Sequence, residues 1–263
     1  MHDNDTYQFQ WRSIFISDIH LGTRGCQAEV LLDFLKHCNA QSYYLVGDVV
    51  DGWRLQKSWY WPGAHNDVVQ KLLRKARKGS QLIYVPGNHD EFLRQYIDLS
   101  FGDIQVRHNP VHVTADGRRL LVIHGDQYDN VMLYSRWLAF LGDSAYEMLL
   151  RLNQPLNRVR RWMGMPHWSL SQFVKLKVKN AVNFISRFEE VVAADAAHHQ
   201  VDGVVCGHIH HAEIRDINGI TYCNDGDWVE SCTALVEHMD GRLEIIHWLD
   251  HYNQRLLQPA VLE

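Results

Sequence analysis

Five short stretches of the chain combine carboxylates, imidazoles and a carboxamide at spacings that suit metal or phosphate binding. They are Asp18-Ile19-His20, Gly47-Asp48 with Asp51, Gly87-Asn88-His89-Asp90, His124-Gly125-Asp126 and Gly207-His208-Ile209-His210. Asp18, His20, Asp48, Asn88, His124, His208 and His210 make seven candidate ligands, too many for one tetrahedral ion. Two ions sharing a bridging carboxylate accommodate them, and ion pairs about 3.5–4 Å apart are a general device for hydrolysing phosphate esters. Charge points the same way. Two divalent ions outweigh the two ligand aspartates, so the site favours an anionic phosphate and the negative charge of its transition state. Four imidazoles disfavour an all-magnesium site, because Mg²⁺ prefers oxygen donors. Manganese, with iron or zinc as alternatives, suits the mixed nitrogen and oxygen set.

Each cluster follows an apolar run: Ile14-Phe15-Ile16-Ser17, Tyr44-Leu45-Val46, Ile83-Tyr84-Val85-Pro86, Leu121-Val122-Ile123 and Val204-Val205-Cys206. Short β-branched runs closed by Gly or Asp predict buried strands. Ligands of open α/β sheets collect outside the carboxyl ends of the strands, so the five clusters are expected to converge. Alternation along a strand would turn Asp18 and His20 to one side, and likewise His208 and His210. Between the strands, apolar spacing predicts helices over Glu29–Cys38, over Val68–Lys78 with Gly79 as C-cap, and over Glu91–Leu99. Gly52 to His65, dense in Trp and Pro, reads as a loop, and Asp116-Gly117 as a hairpin turn. Asn224-Asp225-Gly226-Asp227 fits either a lining of the site or a turn. The tail after His251 carries no clear pattern.

The segment from Tyr128 to His199 is different. It is helical in pattern, and it sets Arg151, Arg158, Arg160, Arg161, Lys175, Lys177 and Lys179 among Trp137, Phe140, Trp162, Trp168, Phe173 and Phe184. The chain therefore reads as a core of residues 1–127 and 200–263 with a helical cap inserted at 128–199. The cap's aromatic and basic content suits an amphiphilic anionic substrate or an anionic membrane surface, though such positions also build ordinary helical cores and solvated faces. For His198, His199 and His211 the expectation is solvated loop positions.

Composition narrows the class. A net charge of −5 with pI near 6.4 argues against a nucleic-acid footprint over the whole surface. Five cysteines form no C-x-x-C pair, so a reducing, cytoplasmic setting is expected rather than a disulfide framework. The polar start of the chain shows no apolar signal segment, and no run of about 18 apolar residues is present to span a bilayer.

The ordered motifs Asp18-x-His20, Gly47-Asp48-x-x-Asp51, Gly87-Asn88-His89-Asp90, His124 and Gly207-His208-x-His210 resemble those of the calcineurin-like metallophosphoesterases. The resemblance implies a four-layer α-β-β-α sandwich, here carrying an inserted helical cap. It implies that Asp18, His20 and His210 hold one metal, that Asn88, His124 and His208 hold the other, and that Asp48 bridges them. His89 is then the catalytic histidine and Asp51 the carboxylate that orients it, while Asp90 and Asp126 are supporting residues. Within the superfamily the layout is most similar to the UDP-2,3-diacylglucosamine diphosphatase group of lipid A synthesis, through its size, Trp53 and the helical insertion. That implies release of UMP and an acylated sugar phosphate from a nucleotide-linked glycolipid, with peripheral contact at the cytoplasmic face of the inner membrane. The group tends to carry Arg after the Gly-Asn, whereas His89 follows the pattern of the broader phosphatases. The alternatives are a general phosphodiesterase or phosphatase on a soluble substrate and a non-catalytic scaffold of the same fold. The scaffold predicts lost ligands, and all seven are present.

Overall fold

The strands expected ahead of the ligand clusters form the parallel centres of two sheets, in a computed structural model that describes residues 8–131 and 170–257. In the first sheet β1 (Phe9–Ile16), β2 (Cys38–Val46), β3 (Gln81–Val85) and β5 (Ile104–Val106) run parallel. The two-residue β4 (Ser100–Phe101) is antiparallel at one edge, and β11 (Thr233–Glu237) and β12 (Leu243–His247) are antiparallel at the other. The second sheet has the order β6 (Val111–Val113), β7 (Arg119–Val122), β8 (Gly203–Cys206), β10 (Ile220–Asn224), β9 (Glu213–Ile217), with β7, β8 and β10 parallel. Register pairs Ile16 with Leu45, Val46 with Val85 and Val122 with Val205, so neighbouring strands finish level. Level carboxyl ends bring distant loops to one place.

Both faces of the first sheet are buried, which is why its strands read as continuous apolar runs. Phe15, Tyr44, Val46, Ile83 and Val85 share one cluster with Leu120, Val122 and Val205 of the second sheet. Their alternate neighbours Ile14, Ile16, Tyr43, Leu45, Leu82 and Tyr84 pack in another, with α1 (Ala28–His37) and α3 (Gly63–Arg77). Val30, Leu31, Phe34 and Leu35 of α1 and Val68, Leu72 and Ala76 of α3 supply the helical side of that core.

Three local expectations are corrected. The Gly52–His65 loop holds a short helix, α2 (Gly52–Lys57), because the Asp51 side chain accepts the Arg54 N–H at 2.8 Å and caps it. The following helix starts at Gly63, directly after Pro62, rather than at Val68. The helix expected over Glu91–Leu99 is a 3₁₀ segment, Glu91–Tyr96. Past β12 the chain forms the helix Trp248–Leu257 in a stretch without a sequence pattern. Trp248 decides this. It is fully buried, packs edge-on against Phe34 at 5.1 Å, donates its indole N–H to Asp33 at 2.8 Å and lies under the Arg255 guanidinium. Burying such a side chain is worth about 3 kcal/mol, enough to anchor a short helix of modest propensity.

The chain divides into two compact units, residues 1–127 with 192–263, and residues 128–191. The long helix α4 (Leu170–His198), which precedes the C-terminal helix α5 (Trp248–Leu257), begins in the second unit. Its last turns belong to the first, where Val192, Ala193 and Ala196 are buried. Within the second unit the Tyr128 and Phe188 rings meet edge-on at 6.2 Å. Trp137, Phe140, Arg151, Arg158, Arg160, Arg161, Trp162 and Trp168 of the expected cap lie outside the described residues, as do the side chains of Phe173, Lys175, Lys177 and Lys179. No helix among the described residues is long and apolar enough to cross a membrane.

Candidate metal centre

Left-handed backbone, rather than strand alternation, presents the first and last pairs of ligands. β1 ends at Ile16 and β8 at Cys206, so Asp18, His20, His208 and His210 all lie beyond their strands. Asp18, His20, Asp48, His208 and His210 have φ values of 49°, 52°, 53°, 69° and 54°. Each such residue costs on the order of 1–3 kcal/mol and persists only where its surroundings fix it. Backbone pairing between the β1 and β2 loops does so: Asp18 N–H donates to Gly47 O at 3.1 Å, His20 N–H to Asp48 O at 2.9 Å and Leu21 N–H to Val49 O at 2.9 Å. Gly47 (φ 80°) has no room for a side chain, since a Cβ there would overlap the His124 ring.

Six of the seven expected ligands come together in two groups. Donor atoms of Asp18, His20 and His210 lie within 4.8 Å of one another, and so do those of Asp48, His124 and His208. Asp48 Oδ2 faces both groups, 3.9 Å from His20 Nε2 and 3.3 Å from His124 Nε2. Its Oδ1 accepts the His89 N–H at 2.8 Å, which fixes the carboxylate plane. Asp18 Oδ1 is 3.1 Å from His210 Nε2, and Oδ2 accepts the His208 N–H at 2.8 Å. His124 is aimed through Nδ1, 2.8 Å from the Val46 carbonyl, which leaves Nε2 directed at the centre.

The residues fit divalent ions. Asp18 Oδ1, Asn88 Oδ1 and His124 Nε2 are buried without a hydrogen-bond partner, all three are ligand-type atoms, and Asn88 directly precedes His89, whose N–H is bonded to Asp48. An unsatisfied buried acceptor costs about 1–3 kcal/mol, so three together call for a ligand. Protonation behaviour agrees. Burial alone would lower His20, but hydrogen bonds to Asp18 and Asp51 and the charges of Asp18 and Asp48 raise it to about 10. His124 and His210 rise for like reasons against burial, through Asp48 and Asp18 respectively. Asp18 is driven down by His210, His20 and His124 despite complete burial. Imidazoles so held keep protons where a cation would otherwise sit, so ion binding must release protons.

Asp51 serves two histidines at once. Its Oδ2 lies 3.2 Å from His20 Nδ1 and 3.0 Å from His89 Nδ1, while Oδ1 caps α2. The His89 approach lacks hydrogen-bond alignment here, as catalytic contacts often do before substrate binds. Trp53 packs against the His89 ring at 4.4 Å and limits its rotation. Asp90 is structural: Oδ2 accepts the Val49 N–H and the Tyr84 hydroxyl, and Oδ1 accepts the Gly87 N–H, tying the β2 and β3 loops together. Asp126 pairs with Arg94 at 2.6 Å. His211 and His199 are exposed, near Glu213 and Asp195. Sequence reading missed Ser17, whose hydroxyl contacts Asp18, and it left Asn224–Asp227 undecided. That segment proves to be both lining and turn. Asn224 donates to the Gly207 carbonyl at 2.7 Å, Asp225 reaches Ser17, and Asp227 caps the backbone of Val229 and Glu230.

A sequence model described as calcineurin-like phosphoesterase matches residues 12–212. The chain belongs to the calcineurin-like phosphoesterase family. Among its curated relatives, the "UDP-2,3-diacylglucosamine hydrolase" of Stenotrophomonas maltophilia is 27% identical over 85% of this chain and 93% of its own length. The protein of the same name from Blochmanniella pennsylvanica is 24% identical over 78% of this chain and 81% of its own. Of the solved structures, Yfce, a phosphoesterase from E. coli, aligns over 89% of this chain and 98% of its own at 16% identity and a TM-score of 0.40. This phosphoesterase thus carries the family's chemistry on two sheets with flanking helices. In it Asp18, His20 and His210 form one group of side chains that could hold an ion, and Asp48, His124 and His208 form another.

Proposed function

We propose that this metal-dependent phosphoesterase hydrolyses the pyrophosphate of a nucleotide-linked acylated sugar, releasing UMP and a lipid-bearing sugar 1-phosphate. The observation that carries the reaction class is Asp48 Oδ2, set between two histidine–carboxylate groups with His89 beside it. Support for the substrate comes from the curated relatives named UDP-2,3-diacylglucosamine hydrolase, one of which aligns over 93% of its length. Bound divalent ions, manganese first, supply positive charge that polarises the phosphoryl group. The rest falls to the chain's own side chains. His89 Nε2 lies 3.9 Å from Asp48 Oδ2 on a side chain that stays 26% exposed, so it faces the space a phosphoryl group would enter. From there it donates a proton to the leaving oxygen, with Asp51 Oδ2 3.0 Å behind its Nδ1 to orient the ring. Such a substrate sets the protein in the cytoplasm, peripheral to the inner membrane, with residues 128–199 as the cap over the acyl chains.

The test is incubation of the purified protein and Mn²⁺ with UDP-2,3-diacylglucosamine, followed by mass spectrometry of the products. UMP and the acylated sugar phosphate are expected, and neither should form with Asp48→Ala. A second reading, a phosphodiesterase or phosphatase acting on soluble substrates, is favoured by His89 where the diphosphatase group tends to carry Arg. Fast turnover of nitrophenyl esters with no UMP release from the glycolipid would select it.

A further inference from the structure

One hydroxyl proton in the centre faces too many acceptors. Ser17 Oγ lies 2.6 Å from Asp18 Oδ2, 2.6 Å from Asp225 Oδ1 and 3.1 Å from the Gly226 carbonyl. A serine hydroxyl donates once, so two carboxylates cannot both be held by it. Asp18 is the better anion: its Oδ2 also receives the His208 N–H at 2.8 Å, and Oδ1 looks toward His210. Asp225 is fully buried, and its Oδ2 has no hydrogen-bond partner. An unpartnered buried anion is far costlier than an unpartnered neutral carbonyl oxygen. The arrangement is satisfied when Asp225 is the acid, donating from Oδ1 to Ser17, and Ser17 donates to Asp18 Oδ2. Burial also pushes the Asp225 carboxyl well up.

We infer that Ser17 and Asp225 are positioning residues that lock the Asp18 carboxylate, holding Oδ2 so that Oδ1 is left for the ion shared with His20 and His210. Three features support it. Asp18 sits in left-handed backbone and needs external restraint. A side chain at Gly207 would displace both Ser17 Oγ and Asp18 Oδ2, so the contact requires glycine there. The segment that carries Asp225 is fastened to the same place, with its N–H on the Cys206 carbonyl at 3.0 Å and Thr233 donating to its own carbonyl at 2.8 Å. The chain Asp225–Ser17–Asp18 thus links the ends of β10 and β1 behind one half of the centre.

The inference rests on the two-ion reading, and the wild-type protein tests that reading separately by titrating Mn²⁺ into chelator-stripped protein and counting ions bound. If wild type takes two, Ser17→Ala and Asp225→Ala should each weaken one ion by roughly 10–100-fold, the usual effect of losing a group behind a ligand, and leave the other at wild-type affinity. Asp225→Asn, a neutral side chain that can still donate to Ser17, should restore both. Co²⁺ spectra should show the same split, with the bands of one site lost and those of the other kept. If Asp225→Ala does not fold, Ser17→Ala against Asp225→Asn makes the comparison. Wild-type affinity at both sites in Ser17→Ala would overturn the inference. So would equal weakening of both ions, or an Asp225→Asn protein as weak as Ser17→Ala.

Discussion

Two buried histidine–carboxylate clusters among the described residues differ in one respect. At the strand ends, Asp18, Asn88 and His124 keep buried atoms without partners. Away from the strand ends, Glu237 accepts from Arg12 at 2.8 and 2.9 Å and from the Ala115 N–H at 2.8 Å, with His112 Nε2 at 2.8 Å; His112 Nδ1 is 3.0 Å from the Tyr44 hydroxyl. Both oxygens of Glu237 and both ring nitrogens of His112 are used. Both places set histidine against a buried carboxylate. What separates a binding centre from a structural tie is whether the polar atoms satisfy each other.

The comparison can be broken at several points. Asp48→Ala should cost the most, removing the oxygen that faces both half-sites: bound metal and turnover should fall together, by more than about 10³-fold in rate. Retention of two ions by that variant would contradict the bridging role. His89→Ala should keep its metal while kcat drops by about 10²–10⁴-fold, read by steady-state kinetics beside elemental analysis. Asp51→Asn weakens the hold on His20 and His89 at once, so metal affinity and rate should each decline by roughly 10–100-fold. Glu237→Ala belongs to the other cluster. It should leave kcat and metal content unchanged while denaturant unfolding shows a loss of about 2–4 kcal/mol, Arg12 being partly exposed. A fall in metal content there would erase the distinction.

The smallest effect is the sign of the pH dependence. In metal-free protein His20 is raised from 6.5 to about 10. Its contribution to stability is complete below pH 6.5 and is lost as pH climbs toward 10. Glu237 is opposite: burial opposes its ionisation, but His112 and the Ala115 N–H hold the carboxyl below its usual 4.5. Its contribution is present above that value and lost as pH falls. Unfolding curves of chelator-treated protein at pH 4, 7 and 10, with Glu237→Ala in parallel, should show the acid loss shrink in the variant and the alkaline loss persist.

How much of this was legible in sequence depends on the range of the forces involved. The ligands could be read because each closes an apolar run, and burial on both faces makes those runs continuous. Their presentation could not: Asp18 and His20 look like strand positions until pairing with the next loop holds them left-handed. α2 was hidden because its stability comes from one cap, Asp51, already claimed by another role. The C-terminal helix was hidden because Trp248 finds Phe34 and Asp33 only after the chain has folded back from far away. Ser17 and Asp225 carry no pattern of their own. Their meaning lies in a single shared proton.

The hydrogen bond from His208 to Asp18 joins residues 190 positions apart. During synthesis, a chain that has not yet emerged past β8 lacks one histidine of each ligand group, whatever its first domain-length segment has already folded. Metal capture is therefore a property of the finished polypeptide. An ion held by both sheets would stabilise only molecules in which both have formed.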